Sequence, residues 1–99
     1  MIVIAGTIPI KADQREEARK LVLWMAEETG KEAGCLAYRF YSDLADPNTF
    51  FIFEEWESDE ALGRHFQTAH MKKFQQQAPT LLAGKVSAKK YTVESAASL

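Results

Sequence analysis

The sequence predicts an α+β domain of ferredoxin-like type, βαββαβ: a four-stranded antiparallel sheet with two helices on one face. Three observations predict it. Four β-rich stretches, at 2–9, 35–42, 49–57 and 86–93, alternate with a period of two. Two stretches, at 13–29 and 58–77, repeat their apolar residues at helical spacing. The order strand, helix, strand, strand, helix, strand, with right-handed crossovers, leaves this split βαβ arrangement.

Length and composition set the limits. Ninety-nine residues suit one domain, expected over 1–93, with 94–99 as a tail lacking periodicity. Twelve basic against fourteen acidic residues give a net charge of −2, so no basic excess points to nucleic acid or an anionic membrane. Cys35 is the single cysteine, which excludes an intrachain disulfide, and no Cys/His cluster has zinc spacing. The apolar start, MIVIAGTIPI, has no preceding basic segment and is too short for a bilayer. It reads as a strand of a cytoplasmic protein.

In the first strand Ile2, Ile4, Gly6 and Ile8 share one face, and Val3, Ala5 and Thr7 the other. Asp13, with Glu16 three residues on, is expected to cap the first helix as a capping-box pair. Its stripe is Ala18, Leu21, Val22, Met25, Ala26 and Thr29, with Trp24 at the border. Gly30 and Gly34 bracket a terminating turn, Lys31-Glu32-Ala33. In strand two Leu36, Tyr38 and Phe40 are expected on one face, with Cys35, Ala37, Arg39 and Tyr41 on the other. The turn formers of 43–48 lead antiparallel into strand three, where Phe50, Ile52, Glu54 and Trp56 oppose Phe51, Phe53, Glu55 and Glu57. Ser58 caps helix two ahead of Asp59 and Glu60. The stripe of helix two is Ala61, Leu62, His65, Phe66 and Ala69, with a break near Thr68 and a second segment burying Met71 and Phe74. Pro79 ends it. Strand four carries Tyr91 opposite Val86 and Ala88.

Two helices cover one sheet face only, yet the first three strands lack a polar face. An uncovered apolar face of that size calls for a partner, and a two-fold copy of the same sheet is the simplest one. A homodimer with stacked sheets is therefore expected.

The ordered set Gly34-Cys35-Leu36, Tyr38, Asp46-Pro47, the E-x-W-x-S-x-E-A-L run from Glu54 to Leu62, then His65 and His70, resembles the antibiotic biosynthesis monooxygenase family. The resemblance spans nearly the whole chain. It implies a dimeric α/β barrel and oxygenation of a small phenolic or quinol-type aromatic substrate by O2, without metal or organic cofactor. Haem-degrading relatives would carry an Asn on strand one, and none lies between Met1 and Ile10.

Such chemistry needs an apolar pocket, a proton acceptor and donors for the oxyanion. Imidazole titrates near neutrality, which makes His65, on the inner stripe, the expected base; a core histidine bonded to a carbonyl or carboxylate is its bland alternative. Trp56 would wall the pocket. Glu54, on the same strand face, would orient His65 or pair with Arg39 or Arg64, and would titrate high if left unpaired. The catalytic set is thus His65, Trp56 and Glu54, with Tyr38, Phe40, His70 and Tyr91 as substrate contacts. His65 and His70 lie roughly 140° apart on a continuous helix, so they share a face only if it breaks near Thr68. Glu54, His65 and His70 match no zincin or facial-triad spacing, and no metal is expected. Cys35 reads as a small buried hydrophobe. An isomerase or stress enzyme acting on a small carbonyl metabolite, and a non-catalytic dimeric binding protein, are the rival readings.

Overall fold

Alternation builds the sheet and helical stripes cover it. The computed structural model describes residues 1–99. Its elements are β1 (Ile2–Pro9), α1 (Arg15–Thr29), β2 (Cys35–Ser42), β3 (Thr49–Trp56), α2 (Asp59–Phe66), α3 (Ala69–Gln77) and β4 (Ser87–Thr92), with 3-10 turns at Ala12–Gln14 and Ala78–Thr80. The strand order is β2-β3-β1-β4, and every pairing is antiparallel. This is the expected ferredoxin-like α+β fold.

Register sorts the two faces. Ile2 pairs with Trp56, Ile4 with Glu54, and Ile8 with Phe50. These residues point toward the helices, where apolar side chains form two buried clusters. One joins Ile8, Phe50 and Ile52 to Leu21 and Val22 of α1; the other joins Ile2 and Trp56 to Ala61 and Leu62 of α2. Each such side chain contributes roughly 1.5–3 kcal/mol on burial. Leu81, beyond the 3-10 turn, fills the first cluster, and an isolated bridge pairs Ile10 with Leu82. The sequence pattern, which ended helix two at Pro79, gave no sign of either contact.

Several local expectations change. Asp13 does not cap α1: it lies inside the 3-10 turn, and the capping position falls to Gln14, whose side chain makes no capping bond. The expected face of strand two is corrected by a β-bulge between Cys35 and Ala37. The extra residue lets Cys35 pair with Trp56 and pack with Ile4 and Tyr38 on the helix side, and it leaves Leu36 53% exposed. Phe66 and Ala69 are exposed rather than buried, and Met71 and Phe74 are half-buried.

The break in the second helical stretch is real and centred on Thr68. Its hydroxyl donates to the carbonyl of His65 at 2.7 Å and accepts the Met71 N–H at 3.2 Å. One side chain therefore closes α2 and opens α3. Ser58 caps α2 as expected, accepting the Ala61 N–H at 3.2 Å.

Gly34 sets the other junction. Its φ of +85° is left-handed, and an added Cβ would sit 2.6 Å from the Cβ of Ala61. Only glycine meets both demands, and its carbonyl then accepts the Glu57 N–H at 2.9 Å. The turn from α1 into β2 is thereby pressed under α2.

Candidate functional site

The site forms where that turn meets the α2–α3 corner. The Glu32 N–H bonds the Thr29 carbonyl at 3.0 Å, and the Glu32 carbonyl accepts the Cys35 N–H at 3.2 Å. This fixed turn holds the Glu32 side chain between two histidines. His65 Nδ1 and His70 Nε2 each lie 2.7 Å from the same oxygen, Glu32 Oε2. An ionised carboxylate only accepts, so both nitrogens donate. In a neutral His65 ring, Nε2 then carries the lone pair.

The two histidines converge because the helix breaks between them. The ring centroids stand 6.0 Å apart, which a continuous helix would forbid. His65 is 2% exposed at its side chain, whereas His70 and Glu32 retain 16% and 12%. The cluster thus runs from the core to the surface. Around His65 lie Trp56 at 4.9 Å, Tyr38 at 5.4 Å and Phe66 at 5.6 Å between centroids. His70 meets the edge of Trp24 at 6.5 Å, so the border tryptophan of α1 does face a second surface, α3.

Glu54 takes a different place from the one expected of it. It neither orients His65 nor pairs with Arg39 or Arg64. Its Oε1 accepts the Trp56 indole N–H at 2.9 Å. Glu32 supplies the carboxylate that orients His65. Nothing but its place between two glycines marked Glu32 in the sequence, where it read as part of a terminating turn.

Burial pushes the Glu54 carboxyl up to about 7; the Trp56 N–H opposes this and the nearby Glu32 charge adds to it. Burial, helped by the Glu54 and Glu32 charges, also raises the Tyr38 phenol well above its ordinary value, so Tyr38 remains a hydrogen-bond donor. Cys35 rises to about 11 for the same leading reason, leaving a protonated thiol rather than a nucleophile.

Of the remaining expected contacts, Phe40 joins the aromatic row through Tyr38, 5.5 Å away. It also lines a cleft of about 180 Å³ with Arg15, Arg19 and Phe50. Tyr91 is not brought to the site. It pairs with Val3 on the opposite sheet face and is 48% exposed. That cleft is not lined by His65, Trp56 or Glu54, and the His65 side chain, 2% exposed, is closed off from solvent.

Glu54 has a measurable signature. Its folded pKa is raised from 4.5 to about 7, so the native state holds the proton more tightly than the unfolded chain. The associated stability is full below pH 4.5 and is lost as pH rises through about 7. The loss is bounded at about 3 kcal/mol. Urea unfolding at pH 5 and pH 8 is expected to show the wild type losing more stability across this interval than Glu54→Gln. Equal losses would contradict the assignment.

The family model described as antibiotic biosynthesis monooxygenase matches residues 1–77. An uncharacterized protein of Synechocystis is 39% identical over 92 residues, covering 93% of this chain but only 63% of that protein; the chain thus spans less than two thirds of that relative. The Bacillus subtilis protein named "Putative monooxygenase YcnE" is 29% identical over 83 residues, 84% of this chain and 87% of that one. Among solved structures, Rv0793 of Mycobacterium tuberculosis superposes with a TM-score of 0.91 at 25% identity, covering 98% of both chains. The sequence match and the superposition agree on the fold. The chain belongs to the antibiotic biosynthesis monooxygenase family.

Proposed function

We propose that the chain is a cofactor-independent monooxygenase oxidising a small phenolic or quinol-type aromatic substrate with O2. The observation that carries this reading is the Nδ1–H of His65 held on Glu32 at 2.7 Å, with an indole and a phenol packed beside the ring. This fixes the tautomer, leaves Nε2 as the base and surrounds it with low-dielectric walls.

His65 Nε2 takes the phenolic proton. The phenolate passes one electron to O2, and the resulting pair recombines to form a ring C–O bond. The O–O bond then breaks as the ring C–H proton is lost. One oxygen stays on the ring and the other leaves as water, so phenol plus O2 gives quinone plus water with no outside reductant. Tyr38, held as the phenol, donates to the developing oxyanion. Trp56 has its N–H committed to Glu54 and serves as a wall. Because the site is closed, admission of substrate requires the α2–α3 corner to move, and Thr68 is the one residue both helix ends share.

The active form in this reading is a homodimer. The sheet face away from the helices carries Val3, Ala5, Phe51, Phe53 and Tyr91 by register, and no helix covers it. A second copy of the same face buries it.

Two experiments check these statements. Oxygen uptake is to be followed with a panel of reduced quinones, without flavin or iron. Wild type is expected to turn over at least one of them, and His65→Ala to lose roughly 10²–10⁴-fold in kcat/KM, with Trp56→Phe milder. Uptake that needs added flavin or iron would contradict the cofactor-free reading, and saturable binding without uptake would favour a binding protein. In sedimentation, the wild type should run at twice the chain mass of 11.2 kDa and Phe53→Lys at the single mass. A monomeric wild type at micromolar concentration would refute the dimer.

A further inference from the structure

Two imidazoles and a carboxylate from three separate segments converge at this site. One donor atom each of Glu32, His65 and His70 lies within 4.8 Å of the others. Glu32 comes from the turn after α1, His65 from the last turn of α2 and His70 from the first turn of α3. No other part of the chain brings histidine and acidic groups together in this way.

We propose that Glu32, His65 and His70 form a binding site for a divalent transition-metal cation of the Zn²⁺ or Co²⁺ class. Two nitrogen donors and one oxygen suit borderline cations and exclude Ca²⁺ and Mg²⁺ as preferred occupants, because those take oxygen ligands. Three protein ligands leave a fourth position open, the pattern of exchangeable rather than sealed zinc sites. The exposure of His70 and Glu32 provides the path in, while buried His65 anchors the floor.

The hydrogen-bonded arrangement and the metal-bound one are close in space. Tetrahedral ligands at about 2.1 Å from zinc stand roughly 3.4 Å from each other. The two N···O separations of 2.7 Å must therefore open by about 0.7 Å, and the two imidazole nitrogens, within 4.8 Å of each other, settle to the same spacing. Each imidazole turns its lone pair to the cation by carrying its proton on the other ring nitrogen, so the ligand set needs no further ionisation. For His65 that is Nε2, the base nitrogen. A bound cation is therefore expected to suppress the proposed oxidation. Cation binding is read without turnover, and it stands or falls separately from that reaction.

The test uses the full chain stripped of metal with a chelator. Calorimetric titration with Zn²⁺ is expected to give one site per chain. Co²⁺ is expected to give visible bands of a nitrogen/oxygen tetrahedral site, without thiolate charge transfer. Glu32→Gln and His70→Gln are each expected to weaken Zn²⁺ binding tenfold or more while circular dichroism shows them folded. Cys35→Ser is expected to retain it. No saturable binding by the wild type, unchanged affinity in both folded variants, or loss in Cys35→Ser would overturn the proposal; the Co²⁺ spectrum of the wild type decides should the variants fail to fold.

Discussion

A single carboxylate oxygen, Glu32 Oε2, holds the functional half of this molecule together. It accepts from two imidazoles at 2.7 Å each, and hydrogen bonds to an ionised acceptor are worth about 1.5–3 kcal/mol apiece. Their larger role is to define chemistry. They fix which nitrogen of His65 is basic and tie the core histidine to one that touches solvent. They also join the α1–β2 turn to both short helices of the second half.

Much of the surrounding backbone serves that junction. Gly34 takes a left-handed turn against Ala61, setting the height at which the turn passes under α2. Thr68 interrupts the helix with its own hydroxyl, rotating His70 back toward His65. The bulge at Leu36 brings Cys35 to the helix face. Glu54 and Trp56 satisfy each other, so the indole wall beside His65 leaves no buried donor unpaired. The exposed pair between Lys90 and Asp59, 2.8 Å apart, ties β4 to the start of α2 but contributes little at such exposure.

The fold was legible because its signals are periodic. Alternation in 2–9 and 49–57 and the stripe from Ala18 to Thr29 each report burial directly. Capping at Ser58 was visible for the same local reason. What the chain did not reveal came from non-local or non-periodic causes. The bulge shifts a face by one residue and has no composition of its own. Leu81 and Leu82 follow a proline, and across most of the chain Leu82 bridges to Ile10 while Leu81 accepts the Lys11 N–H. Glu32 sits in a turn, where periodicity is silent, and gains its role only when α2 and α3 close over it. Glu54, expected either to orient His65 or to pair with Arg39 or Arg64, shares the strand face with Trp56 and bonds it instead, and the carboxylate beside His65 is that of Glu32.

Glu32 fixes the tautomer of His65, and the most direct measurement of this is a long-range ¹⁵N–¹H correlation spectrum of histidine-labelled protein. In the neutral form of its ring, His65 is expected to show a protonated Nδ1 and an unprotonated Nε2 in the wild type, and to lose this tautomeric preference in Glu32→Gln. A His65 ring protonated at Nε2 alone, or one indifferent to Glu32, would contradict the account.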